Sequence, residues 1–166
     1  TATNFFDRVN ESESFTTIRE KARQDFEVLG VGGFEVIRNA KGRPQMMYYL
    51  PFKNVRMTAR NGGGYVKVPI TLKREGKEVT INVYKRFRRI AQFDPSFAHS
   101  IRWFKEYGDP RLLDAVTGKF KNKVSEISVV NGRRMIASEV FYFRNEFANM
   151  PYGMPRWIGA VLDVLG

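Results

Sequence analysis

The sequence predicts an α+β fold: antiparallel β-hairpins forming a small barrel-like sheet, flanked by an N-terminal and a C-terminal amphipathic helix. Three observations carry this. Tyr65 to Arg74 and Val79 to Tyr84 alternate apolar with polar residues, the period of a strand with one face covered. Ile18, Ala22, Phe26 and Leu29 recur at helical spacing with Glu20, Arg23, Gln24 and Glu27 between them. Trp157, Ile158, Val161, Leu162 and Leu165 do the same near the last residue.

In chain order, Thr17 to Glu20 has the spacing of a capping box and places the start of the first helix there, with Gly30 as its stop. Gly30-Val31-Gly32-Gly33 reads as a turn from that helix into a strand over Phe34 to Arg38. A phosphate cradle would need the reverse order, strand then glycines then helix. Asn39 to Gly42 turns the chain, Gln45 to Leu50 returns as a paired strand, and Val55 to Thr58 is a third. A long hairpin then occupies 60–92, with a turn at Glu75-Gly76-Lys77 and both strands half-buried. Lys85-Arg86-Phe87-Arg88-Arg89 extends its second strand, so that Arg86 and Arg88 share the solvent face and Phe87 the core face. Ile101 to Tyr107 is a further strand, closed by a turn at Gly108-Asp109-Pro110-Arg111. Leu112 to Lys123 reads as a mobile polar connection. Val140 to Phe143 is a buried strand, and Tyr152-Gly153-Met154-Pro155 opens the last helix, Gly153 supplying positive φ and Pro155 the first turn.

With 43% hydrophobic residues and 14% aromatics, the 166-residue chain is expected to fold as a single domain, 1–166. Cysteine is absent, which excludes a disulfide framework and thiolate zinc. No apolar run reaches the roughly 20 residues of a membrane-spanning helix. The single histidine, His99, has no neighbour at ligand spacing, and the acidic residues are scattered. Asp109 reads as a turn residue bonded to its own backbone. No catalytic residue, cofactor site or metal site is assigned, and no enzyme activity is expected. The strongest compositional signal is a net charge of +11, the mark of a polyanion or an acidic surface as partner. Lys85, Arg86, Arg88 and Arg89 are the candidate contacts with phosphate or with a partner. A solvated strand end that discourages edge pairing is an equal reading of the same residues.

Three separated stretches carry a resemblance. They are Asp25 and Gly30 with Phe34 to Arg38, Lys41 to Pro44 and Leu50 to Arg56; Phe104 to Arg111, followed by Thr117-Gly118; and Tyr152 to Ala160, YGMPRWIGA. In this order they are similar to the portal proteins of tailed bacteriophages. Gly108, Asp109, Pro110, Tyr152, Gly153 and Pro155 are its structural motif residues. The resemblance implies a fragment, the wing-like part of a longer protein that forms a dodecameric ring at one capsid vertex. It implies a channel for double-stranded DNA in packaging and ejection, docking of the terminase packaging motor, and contacts with capsid and tail connector proteins. It further implies a virion protein of a phage or prophage, assembled in the bacterial cytoplasm without a membrane partner. From the residues alone, a small basic nucleic-acid-binding module built on an antiparallel barrel is the alternative, with Tyr84, Phe87 and Trp103 as its aromatics.

Overall fold

The computed structural model describes residues 2–60, 64–74, 76–97, 100–146, 152–155, 157 and 158. A short helix, α1 (Ala2–Asp7), precedes the main one, α2 (Phe15–Leu29). The start of α2 lies one residue past Ser14, whose hydroxyl accepts from the Thr17 amide at 3.3 Å. The expected start at Thr17 is therefore corrected. Phe15 packs by its ring against Phe6 and Phe34, which draws the additional residues into the helix. Gly30 ends α2 as expected: at φ 74° its amide donates to the Phe26 carbonyl at 2.9 Å.

The strand β1 (Val31–Arg38) begins directly after this cap and includes both following glycines. Gly32 and Gly33 are thus strand residues and not a turn. A Cβ on Gly32 would collide with the Ala22 carbonyl, and one on Gly33 would stand 2.5 Å from the Phe141 carbonyl oxygen. Helix and neighbouring strand approach β1 too closely for side chains.

After β2 (Pro44–Tyr49), a 3₁₀ turn over Phe52–Asn54 leads into β3 (Val55–Met57). The hairpin strands β4 (Val66–Arg74) and β5 (Lys77–Lys85) follow, then β6 (Arg89–Phe93) and β7 (Ile101–Glu106). Short pairs β8 (Leu112–Leu113) with β9 (Phe120–Lys121), and β10 (Val129–Val130) with β11 (Arg133–Arg134), precede β12 (Glu139–Arg144). Six strands form one sheet in the order β2-β1-β12-β7-β6-β3. All its pairings are antiparallel except β12 with β7. The α+β class and the antiparallel hairpins hold. The barrel-like closure does not, because β2 and β3 end the sheet as separate edges.

Two apolar clusters build the body. Val31, Leu50, Phe52, Val55, Met57, Ile90, Phe104 and Val140 form one; Val9, Ile18, Ala22 and Phe34 join α2 to the sheet in the other. A third, smaller cluster of Leu113, Ala115 and Ala137 lies in the stretch expected to be mobile. That expectation fails because Asp114 organises the turn. Its carboxylate, 1% exposed, accepts from the amides of Val116, Thr117 and Ser128 and from the Ser128 hydroxyl at 2.6 Å. Burial pushes its pKa up, and these four donors more than reverse that, leaving it below the usual aspartate value.

The β4–β5 hairpin has the expected strands but not the expected burial. It is a separate two-stranded ribbon, outward of the six-stranded sheet, and most of its residues are exposed. The expected hairpin over 60–92 therefore shortens, since β6 belongs to the main sheet. Of the C-terminal helix, Trp157 and Ile158 are helical, and the Ile158 amide bonds the Pro155 carbonyl at 3.3 Å. Its continuation over 159–166 lies outside the described residues, as does His99.

Candidate functional site

Register assigns the two faces of the ribbon. Lys67 faces Tyr84, Pro69 faces Asn82, Thr71 faces Thr80 and Lys73 faces Glu78, so these share one polar face. The alternate rows pair Val66 with Lys85, Val68 with Val83, Ile70 with Ile81, Leu72 with Val79 and Arg74 with Lys77 on the other. The ribbon therefore carries Lys67, Lys73, Arg74, Lys77 and Lys85 outward, all exposed, with Arg86 exposed just past its end. Sequence reasoning assigned only the last two of these to the site. Combining the period-2 alternation with the hairpin turn would have found the others.

The four cations expected to act together are separated by the fold. β5 stops at Lys85, and residues 86–88 leave the strand pattern before β6 starts at Arg89. Phe87 is buried, and the Arg88 amide donates to Glu106 Oε2 at 2.7 Å, which pulls the chain into the main sheet and ends the alternation. Arg86 and Arg88 consequently do not share a solvent face. Arg86 lies over the Tyr65 ring at 4.2 Å, whereas Arg88 is buried and donates to the Thr58 carbonyl at 2.9 Å. Arg89 donates to the Gly118 carbonyl at 2.7 Å and stands 5.5 Å from the Trp103 ring centre. Arg88 and Arg89 are internal ties; Lys85 and Arg86 face outward.

The motif residues turn out to be anchors. Gly108, at φ 84°, lets its amide reach Glu139 Oε2 at 3.1 Å. Asp109 accepts from the Arg111 amide at 3.0 Å, as expected of a turn residue, and also from the Arg111 guanidinium at 2.7 Å. Pro110 lies between these two partners, in the turn that joins β7 to β8. The Lys105 ammonium closes the turn by donating to the carbonyls of Asp109 and Arg111 at 2.8 and 3.2 Å. Tyr152 accepts the Met57 amide at 2.8 Å. Gly153 lacks the positive φ expected of it; its need for glycine is space, since a Cβ there would overlap the Gly30 carbonyl.

A cleft of about 470 Å³ beside these turns is lined by Arg60, Glu106, Tyr107, Tyr142, Arg144 and Glu146, among others. Glu106 accepts from Arg60 and from the Tyr142 hydroxyl, both at 3.0 Å. Burial, then the Glu106 charge, raises the Tyr142 pKa, so the phenol stays a donor. The cleft mixes both signs of charge, and its acids would repel a phosphate. Among the described residues no group of three or more histidine, cysteine, aspartate or glutamate side chains is placed to hold a metal ion.

What stands out is thus a basic, β-rich body with one projecting ribbon. Comparison with known proteins relates the chain to a phage-like element. It is 32% identical over 162 residues to the phage-like element PBSX protein XkdE of Bacillus subtilis, a match that covers 98% of this chain and 30% of that protein. It is 33% identical over 154 residues to the protein YqbA of the same organism, covering 93% of this chain and 28% of that one. The chain therefore spans less than a third of either relative's length. No protein-family model matches it, and no solved structure does.

These findings correct the portal-family resemblance. The relatives are named as a phage-like element protein and as an uncharacterised one, with no portal assignment. The physical reason lies in the motifs themselves: their glycines, prolines and buried acid serve local turns and close backbone contacts, which many folds require. The chain is a phage- or prophage-related protein. No helix among the described residues is long and apolar enough to cross a membrane.

Proposed function

We propose that the chain is a structural, non-catalytic part of a phage-like particle that lies along the path of the genome and touches duplex DNA through phosphates alone. The observation that carries this reading is the ribbon's polar face: Lys67 and Lys73 project from it, with Arg86 exposed just past its end, while Glu35, Asp109 and Glu139 of the body are turned inward onto other cations. Such contacts position without reading sequence, so they permit DNA to move past. Neighbouring proteins of the particle are the other partners of this reading.

The test uses the full-length protein and a mixed-sequence duplex, with affinity measured across a salt series. Lys67, Lys73 and Arg86 engaged together give a log–log slope of about −3. Changing Lys67 and Lys73 to glutamine should flatten that slope by about 2 and weaken all sequences alike. An unchanged slope removes the ribbon from the interface.

A second reading has its own support, the exposed Tyr84 opposite Lys67 and the exposed Tyr65 beneath Arg86. These suit stacking of unpaired bases. Tighter binding to a single-stranded oligonucleotide than to the duplex, lost on Tyr84→Ala, would favour it.

A further inference from the structure

The ribbon has a second, aliphatic face opposite the polar one. Its cross-strand rows place Val66, Val68, Ile70, Leu72, Val79, Ile81 and Val83 side by side. Leu72, Val79 and Ile81 remain 49%, 45% and 42% exposed, and neither strand packs substantially on any other element. A contiguous aliphatic strip with no cover marks an interaction surface. Its ends are also distinctive: Lys85 closes the row at the base, and Arg74 faces Lys77 at the tip. Over the eight residue steps between these rows, the cations stand roughly 26 Å apart. Among the described residues of this face there is no acid; Glu78 belongs to the polar side.

We propose that this face docks into an apolar groove on an acidic protein partner, whose carboxylates meet Lys85 at one end and Arg74 with Lys77 at the other. Charge decides among the occupants. A second copy laid on the strip in either direction would set cation against cation at both ends, which opposes association, and each chain already carries +11. A lipid surface is disfavoured on two counts. The strip has no tryptophan or tyrosine of the kind that seats proteins at a bilayer interface, and the outer edges of a two-stranded ribbon leave backbone groups that hydrocarbon cannot satisfy. A protein groove can pair those edges by strand addition while the alternate side chains fill it. The inference holds whether or not the polar face meets DNA.

The experiment places a photo-cross-linking amino acid at Ile81, or at Thr80 on the opposite face, in the full-length protein produced together with the other proteins of its particle. Cross-linked peptides are then sequenced. The expected result is Ile81 adducts on another protein, at a segment with apolar residues bordered by aspartate or glutamate, and few such adducts from Thr80. Reversing charge with Arg74→Glu, Lys77→Glu and Lys85→Glu should lower the Ile81 yield about tenfold, because like charges across an interface disfavour docking. Ile81 adducts on a second copy of this chain, on lipid, or on a segment without acids would each overturn the proposal. So would equal yields from Ile81 and Thr80. Adducts of the protein with its native charges decide between these outcomes, even if the charge-reversed ribbon loses its pairing.

Discussion

In the six-stranded sheet the strand acids Glu35, Glu106 and Glu139 each hold a cation of the same chain, whereas in the β4–β5 ribbon the cations point away from the sheet. Glu139 takes Arg38 through Nε at 3.0 Å and Nη2 at 2.8 Å; Glu35 takes Arg102 and the Ser138 hydroxyl. These pairs bridge β1 to β12 and β1 to β7, stitching strands that are distant in sequence. The ribbon is built from the same residue types and the same alternation, yet its aliphatic side is open. The difference lies in cover: body strands have α2 or another strand upon them, and ribbon strands have only each other. Charge inside the body serves cohesion, and charge on the ribbon remains for a partner.

The sharpest way to break this contrast is at glycine. Gly32→Ala should cost about 3 kcal/mol in a denaturant titration, the upper range for overpacking, because its Cβ meets helix backbone that has no room to move. Gly76→Ala in the ribbon, at φ 77° with nothing within 4 Å, should cost only about 1 kcal/mol, from backbone strain alone. Similar losses at both sites would mean that the ribbon packs on something after all.

Next comes the acid network. Glu139→Ala leaves Arg38, Lys105 and the Gly108 amide without their shared acceptor. About 2 to 3 kcal/mol should be lost, less than for a fully buried pair because Arg38 keeps contact with water. The Glu139 carboxylate also holds the Arg38 guanidinium more firmly protonated than usual.

Asp114 gives a pH signature. Its folded pKa lies below the ordinary 3.8, so the stability it contributes is complete above that value and disappears as the pH falls through the lower, folded one. Acid unfolding followed by circular dichroism should show this loss in the native chain and not in Asp114→Asn. The variant should be weaker by about 1 to 2 kcal/mol at neutral pH, since an amide oxygen replaces a charged acceptor.

The smallest effect is expected on the ribbon. Lys73→Gln together with Lys77→Gln should change unfolding free energy by less than about 0.5 kcal/mol, as exposed charge does in general. A larger loss would show that these cations belong to the internal network.

Much of the body was legible in the sequence. The α2 stripe and its Gly30 stop follow a helical period, β7 and β12 are dense in aromatic and β-branched residues, and the turn at Asp109 has a local cause. α1 and the two-residue strands β8 to β11 were missed because they are too short for a period to show, and β6 because its first residue was read as a continuation of β5. The parallel contact of β12 with β7 depends on distant segments, which local pattern does not report. The ribbon shows the limit most clearly. Alternation from Val66 to Val83 announced two strands and their faces, but a period says which side is apolar and nothing about what covers it. Extending it through Arg86 and Arg88 failed because Glu106, far along the chain, captures the Arg88 amide.

The contact between Gly30 and Gly153 bears on how this sequence can diversify. The Gly30 carbonyl receives the Asn145 amide at 2.8 Å and lies under Gly153, while a Cβ on Gly30 would strike the backbone of Gly153 and Met154. Two positions at opposite ends of the chain thus behave as a single heritable trait. Neither can acquire a side chain while the other stays in place, and a compensating change elsewhere would have to displace main chain. In descendants of this sequence both glycines should persist together, or both should vanish with the docking of the segment that carries Gly153.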